Sequence, residues 1–250
     1  MSCATKSKAV KQDVRRDILC AMNVIQAEWT RLFQYALTVL LLIATTSCRD
    51  NENWRIIPYE PEETTVSVLY VVGNHQGWKP DAEVIGMIYS TEDDGIYTGY
   101  AFLNGEFKCT SEQNWDGTNY GSGGDGILST EGSAGNINAP EGYYWLEFDT
   151  NALTYTLTPA NWGVIGDATP GGWDSDTDLV YNPESLKLEV EMTLTDGTIK
   201  FRANDGWDLN YGGSLEELSA GGDNISVTAG TYQVVLDLST PEYKAELIKK

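Results

Sequence analysis

The 250-residue chain contains a single histidine, His75. That scarcity excludes a histidine-rich metal site and leaves a histidine general base only one position to come from. Cysteine is also scarce: of the four, Cys3 and Cys20 precede the one long apolar run, Cys48 follows it, and Cys109 stands alone in the body of the chain. No intramolecular disulfide can then brace the folded part, which must rest on its core. Positive charge is short, with 16 Lys and Arg against 37 Asp and Glu and a formal net charge of -21. Six of those cations, Lys6, Lys8, Lys11, Arg15, Arg16 and Arg31, lie before the apolar run. So acidic a surface repels phosphate backbones, so nucleic acid is not an expected partner, and a neutral ligand suits it better.

The apolar run, Phe33 to Thr46, is short for a transmembrane helix and long enough for a signal-peptide core, with Arg31 just ahead of it. It ends in Thr-Thr-Ser-Cys, and a small residue before a cysteine in that place resembles the bacterial lipoprotein signal. Cys48 is therefore the expected lipid-attachment residue. Residues 1–47 form the signal-peptide region, with Met22 as an alternative start, and residues 48–65 form anchor and tether, closing on the polar EPEETT from Glu60 to Thr65. Arg49-Asp50-Asn51-Glu52 resembles the export tag of surface-exposed lipoproteins.

What the chain has in quantity is glycine (25), tyrosine (14) and tryptophan (8), in short runs bounded by Gly, Asn and Asp. That favours strands and turns, and the expected class is all-β. Laid against itself, the sequence shows two copies displaced by roughly 90 residues, the length of a small sandwich. VVGNHQGW (Val71 to Trp78) answers VIGDATPGGW (Val164 to Trp173), FKCTSEQNWDGTNYG (Phe107 to Gly121) answers IKFRANDGWDLNYG (Ile199 to Gly212), and NINAPEGYYWLEFD (Asn136 to Asp149) answers NISVTAGTYQVVLD (Asn224 to Asp237). The expected domains are residues 66–159 and 160–250. In Thr231 to Leu238, alternation turns Tyr232, Val234, Leu236 and Leu238 to the core. The matching strand turns Tyr144, Leu146 and Phe148 inward and leaves Trp145 outward beside Tyr143 and Glu147, where an indole needs another purpose.

A sugar ring presents a flat C–H face and a rim of hydroxyls, so its binders pair an exposed aromatic ring with polar groups nearby. Each copy offers that set. Trp78 and Trp173 end loops with no neighbours suited to packing a large ring away, and about thirty residues later Lys108 and Lys200 occupy matching strand positions. Arg202 shares the face of Lys200. Asn136 and Asn224 could bond hydroxyls or form turns. Trp115 and Trp207, each among Asn, Asp and Gly, read as parts of tight turns held by side-chain hydrogen bonds.

These blocks resemble those of SusE/SusF-type outer-membrane starch-binding lipoproteins, with IKFRANDGWDLNYG the most specific part and the likeness running over nearly all of Val66 to Lys250. The resemblance implies tandem immunoglobulin-like sandwiches that bind an α-glucan through a tryptophan, a lysine or arginine and an asparagine. By position these are Trp78, Lys108 and Asn136 in copy one, and Trp173, Lys200 and Asn224 in copy two, with Arg202 a second basic candidate. It also implies partnership with starch or a related polysaccharide and with an outer-membrane glycan transporter complex. The expected location is the outer membrane, facing outward on a lipid anchor. Copy one departs from the pattern: Cys109 and Thr110 stand where copy two has Phe201 and Arg202, and a glycine-rich insertion follows its NYG turn.

No catalytic residue, cofactor or metal is expected. A glycosidase needs two carboxylates at a defined separation across a cleft, and two domains of this size leave little space for one. Asp174-Ser175-Asp176-Thr177-Asp178 opens like a calcium loop, but Leu179 replaces the turn glycine and Ser185 the bidentate Glu. The rival to glycan binding is a surface lipoprotein whose sandwiches mediate protein contact or adhesion. Tryptophans buried against their own domain would favour it.

Overall fold

The computed structural model describes residues 66–92 and 94–250, which belong to one compact unit. The signal-peptide region, Cys48 and the tether lie outside the described residues. The chain is all-β, as its composition predicts, built from antiparallel sheets.

In the first half the strands are β1 (Ser67–Gly73), β2 (Gly86–Ser90), β3 (Ile96–Thr110), β4 (Asn119–Gly124), β5 (Ile127–Ser129), β6 (Ile137–Asp149) and β7 (Thr154–Pro159). The two long strands β3 and β6 pair along most of their length, with a register shift between Leu103 and Gly105. Gly105 takes a φ of +82°, a conformation glycine adopts without strain, and the extra residue bends the strand. Pairing runs from β3 through β4, β5, β7 and β6 back to β3, so this half closes on itself.

The second half has β8 (Trp162–Ile165), β9 (Thr177–Asp178), β10 (Val180–Asn182), β11 (Lys187–Leu194), β12 (Gly197–Ala203), β13 (Asn210–Gly213), β14 (Leu218–Ala220), β15 (Ile225–Val227), β16 (Gly230–Asp237) and β17 (Lys244–Lys249). One sheet runs β10-β11-β16-β17; the other runs β14-β13-β12-β8-β9, with β15 on β12. Here the counterparts of β3 and β6 are each broken in two. Ala168 O accepts from Thr195 N at 2.9 Å and Asp196 Oδ1 from Ala229 N at 2.7 Å, so the backbone freed at the breaks finds partners.

The two halves share a register. Val72 stands opposite Lys108 and Ile165 opposite Lys200; Phe107 stands opposite Ile137 and Ile199 opposite Ile225. The alternations predict the cores. Tyr144, Leu146 and Phe148 are buried with Leu69, Val71, Phe107 and Cys109, and Tyr232, Val234, Leu236 and Leu238 with Val164, Ile199 and Phe201. Cys109 fills the place of Phe201 in a fully buried position, and burial pushes its thiol pKa far up, so it packs as a small apolar group.

Trp145 finds its purpose at the junction of the halves. Tyr100 and Tyr143, on the outward face of β3 and β6, are buried in the second half's core, and Phe102 and Trp145 pack against it. Tyr100 meets Trp162 edge-on at 5.9 Å and Tyr243 at 5.7 Å, and its hydroxyl lies 3.3 Å from that of Tyr211. Phe102 stacks on Tyr181 at 4.5 Å. The connection itself is clamped: Ala160 N donates to Tyr143 O, and the Asn204 amide donates to Pro159 O and accepts from Asn161 N.

Candidate functional site

Strand alternation places Phe107 and Cys109 in the core, so Lys108 and Thr110 face away from it; by the same count Lys200 and Arg202 face away from Ile199 and Phe201. On these outer faces each half assembles the same parts. The lysine crosses a neighbouring glycine. Gly121 and Gly212 lie so close to the carbonyls of Gly135 and Asp223 that a Cβ would collide, and that Cβ would also stand 3.1 Å from Lys108 Cε or 3.0 Å from Lys200 Cε. Lys108 Nζ then donates to Ala134 O at 2.9 Å, two residues before Asn136. Both asparagines are exposed, and Asn136 Nδ2 donates to Glu106 Oε2 at 3.1 Å.

The loop tryptophans are not alone. Trp78 lies 6.3 Å from Trp115, the rings inclined by 34°, and Trp173 lies 6.0 Å from Trp207, inclined by 38°. Trp115, Trp173 and Trp207 are 41%, 38% and 48% exposed, which is surface for rings that size, and Trp78 is half-buried. Sequence reasoning assigned Trp115 and Trp207 to their turns. The turns are held as expected, with Asn119 Nδ2 donating to Trp115 O and Asn210 Nδ2 to Trp207 O, but the rings point out and complete two pairs. The signal was present in the repeat: both copies keep a tryptophan where the neighbours are too polar to bury one.

Trp78 is held in an uncommon conformation. Its φ is +61°, in the left-handed region that a bulky residue rarely enters, after Gly77 at +76°. Its indole Nε1 donates to Asn74 Oδ1 at 2.7 Å and its amide to Gly73 O at 3.0 Å. In the second half Gly172, the counterpart of Gly77, has a φ of +59°, and Trp173 after it does not share the left-handed conformation of Trp78.

Arg202, the second basic candidate, is tied to a neighbouring carboxylate. It is 5% exposed, and its Nε donates to Asp176 Oδ2 at 2.7 Å. Burial pushes the Asp176 pKa up, but hydrogen bonds from Arg202 and Asp205 outweigh it and leave the carboxyl below its ordinary value. Asp205 goes the other way, raised chiefly by its hydrogen bond to Asp176 and by that residue's charge. Asp176 is thus spoken for by the arginine. Among the described residues no group of three or more His, Cys, Asp or Glu is arranged to hold a metal ion.

The side-chain oxygens of Asn119 and Asn210, at matching positions beside the two pairs, are buried without a hydrogen-bond donor. An unmet buried acceptor costs about 1–3 kcal/mol, and the same atom carries it in both halves.

No protein-family model matches the chain, and no curated protein matches it. Among solved structures, the crystal structure of SusF from Bacteroides thetaiotaomicron is similar at 20% identity over 72% of this chain and 48% of its own, with a TM-score of 0.31. The chain spans about half the length of that structure. A likeness this loose says nothing of which residues bind what.

Proposed function

We propose that this protein binds a polysaccharide without cleaving it, and that the two tryptophan pairs are its binding platforms. The observation that supports this best is their repetition. Two pairs, each with at least one exposed ring and each inclined by a similar angle, present two adjoining apolar surfaces to consecutive sugar rings. The 34° and 38° inclinations suit a chain that curves, and an α-glucan such as starch does so. Lys108 with Asn136, and Lys200 with Asn224, supply hydrogen bonds to hydroxyls. The strain at Trp78 supports the same reading, since strained residues persist where function requires them. Exposure favours a glycan over the protein-contact alternative, which calls for tryptophans folded against their own domain.

The wider setting is part of the proposal: a lipid anchor at Cys48, the outer face of an outer membrane, and an association with a glycan transporter complex to which the chain delivers polymer. Single platforms of this kind are weak, and two on one polymer gain by avidity.

The test is affinity electrophoresis of the chain from Cys48 onward in gels containing amylopectin, xylan, dextran or no polysaccharide, with Trp78→Gly and Trp173→Ala alongside. Glycine suits the backbone at position 78, so Trp78→Gly should lose ligand contact while its melting temperature holds or rises. Retardation in amylopectin that weakens in either variant supports the reading, and unaltered mobility in every gel rejects it.

A further inference from the structure

We propose that the Asp176–Arg202 pair is a positioning device for the second platform only, and that it makes this the tighter of the two sites. As a statement about affinity it rests on the glycan-binding reading; as a statement about the tryptophans it stands on geometry. The Arg202 guanidinium carbon lies 5.4 Å from the centre of the Trp207 ring. Its Nε is fixed by Asp176 at 2.7 Å, with both side chains about 5% exposed. Trp207 therefore lies against a pinned, planar cation while remaining 48% exposed and meeting Trp173 at 6.0 Å.

A third residue makes room for the pair. Gly163 stands opposite Arg202, and a Cβ there would lie 2.7 Å from Asp176 Cγ. Only a bare backbone lets the aspartate lie flat across β8. In the first half the matching positions hold Tyr70 opposite Thr110, and Thr110 Oγ1 donates to Asn114 O at 3.0 Å. Among the described residues no cation lies over Trp78 or Trp115. Gly163, Asp176 and Arg202 together form a support that the first half lacks.

The fold gains little from such a pair. A buried ion pair is commonly no more stabilising than apolar side chains of the same volume, so its worth lies in what it holds in place. A platform fixed before the ligand arrives spares the ordering of two large side chains on binding. The second site is the one whose outer tryptophan has this support, and among the described residues Trp115 in the first has no cation against it.

The decisive variant replaces both charges at once, Asp176→Leu with Arg202→Met, so that neither is left buried and unpaired. It is made in a Trp78→Gly background, where only the second platform remains, with Trp173→Ala marking complete loss of the pair. The expected result is a fall in the near-ultraviolet circular dichroism of the coupled indoles and a roughly tenfold weaker titration with maltoheptaose. Unchanged ellipticity and affinity would overturn the proposal. If the parent binds no glycan but the ellipticity still falls, the positioning role stands and the functional reading fails. Should the double variant not fold, Arg202→Lys decides: it keeps the charge but not the planar contact, so the indole signal drops part of the way if Arg202 positions Trp207 and stays constant if it does not.

Discussion

His75 is the side chain whose charge changes nearest neutral pH, and it is half-buried in the turn that follows β1. Burial lowers its pKa, and neither ring nitrogen meets a hydrogen-bond partner that would oppose this. The unfolded chain therefore takes up the proton first as pH falls. The stability that a neutral His75 allows is complete above its unfolded value and declines as pH drops through that value toward the folded one. His75→Gln should flatten the loss that sets in as pH falls through about 6.5, measured by urea denaturation at each pH; an unchanged slope would place the dependence elsewhere. Residue by residue, sequence was a good guide to what a side chain must avoid and a poor one to what covers it. The exposure of Trp173 follows from polar neighbours. Arg202 was assigned to the right face by alternation, but alternation is silent about Asp176, 26 residues upstream, folding across that face.

Whole strands were read more securely than their ends. The alternation in Thr231–Leu238 and the three repeated blocks fix both the inward residues and the shared register, because a one-residue slip would turn every core side chain outward. What they do not reveal is that the same stretch is one bent strand in the first half and two short ones in the second, since a bulge and a break leave the period nearly intact. The glycines of the two NYG segments, Gly121 in β4 and Gly212 in β13, do belong to this scale. Each lets a lysine cross the strand beneath a close carbonyl, so Gly212→Ala should cost about 1–3 kcal/mol in urea denaturation, as overpacking does, and should weaken the second site with it. Full stability with normal binding would mean that the crossing tolerates a methyl group.

For the molecule, the repeat suggests two units in series, but it cannot say how much they share. Trp145 was the clue, an indole on an outward face with no ligand loop beside it. Its neighbours Tyr100 and Tyr143 are buried in the other half's core, a contact that depends on tertiary approach and leaves no local pattern. The halves should accordingly melt together. Tyr100→Ala empties that contact at a cost of about 3–5 kcal/mol and should split a single calorimetric transition into two; one transition, merely shifted, would show that the remaining contacts suffice.

The clamp around Ala160 also fixes how far apart the two tryptophan pairs are held. With the connecting residues bonded on both sides and aromatic rings filling the junction, the gap between the platforms is a fixed dimension of the protein. If the platforms bind glycan as proposed, an oligosaccharide shorter than that gap would gain nothing from the second platform, whereas one long enough to bridge it would gain the whole benefit at once, and the rigid junction would act as a ruler for polymer length.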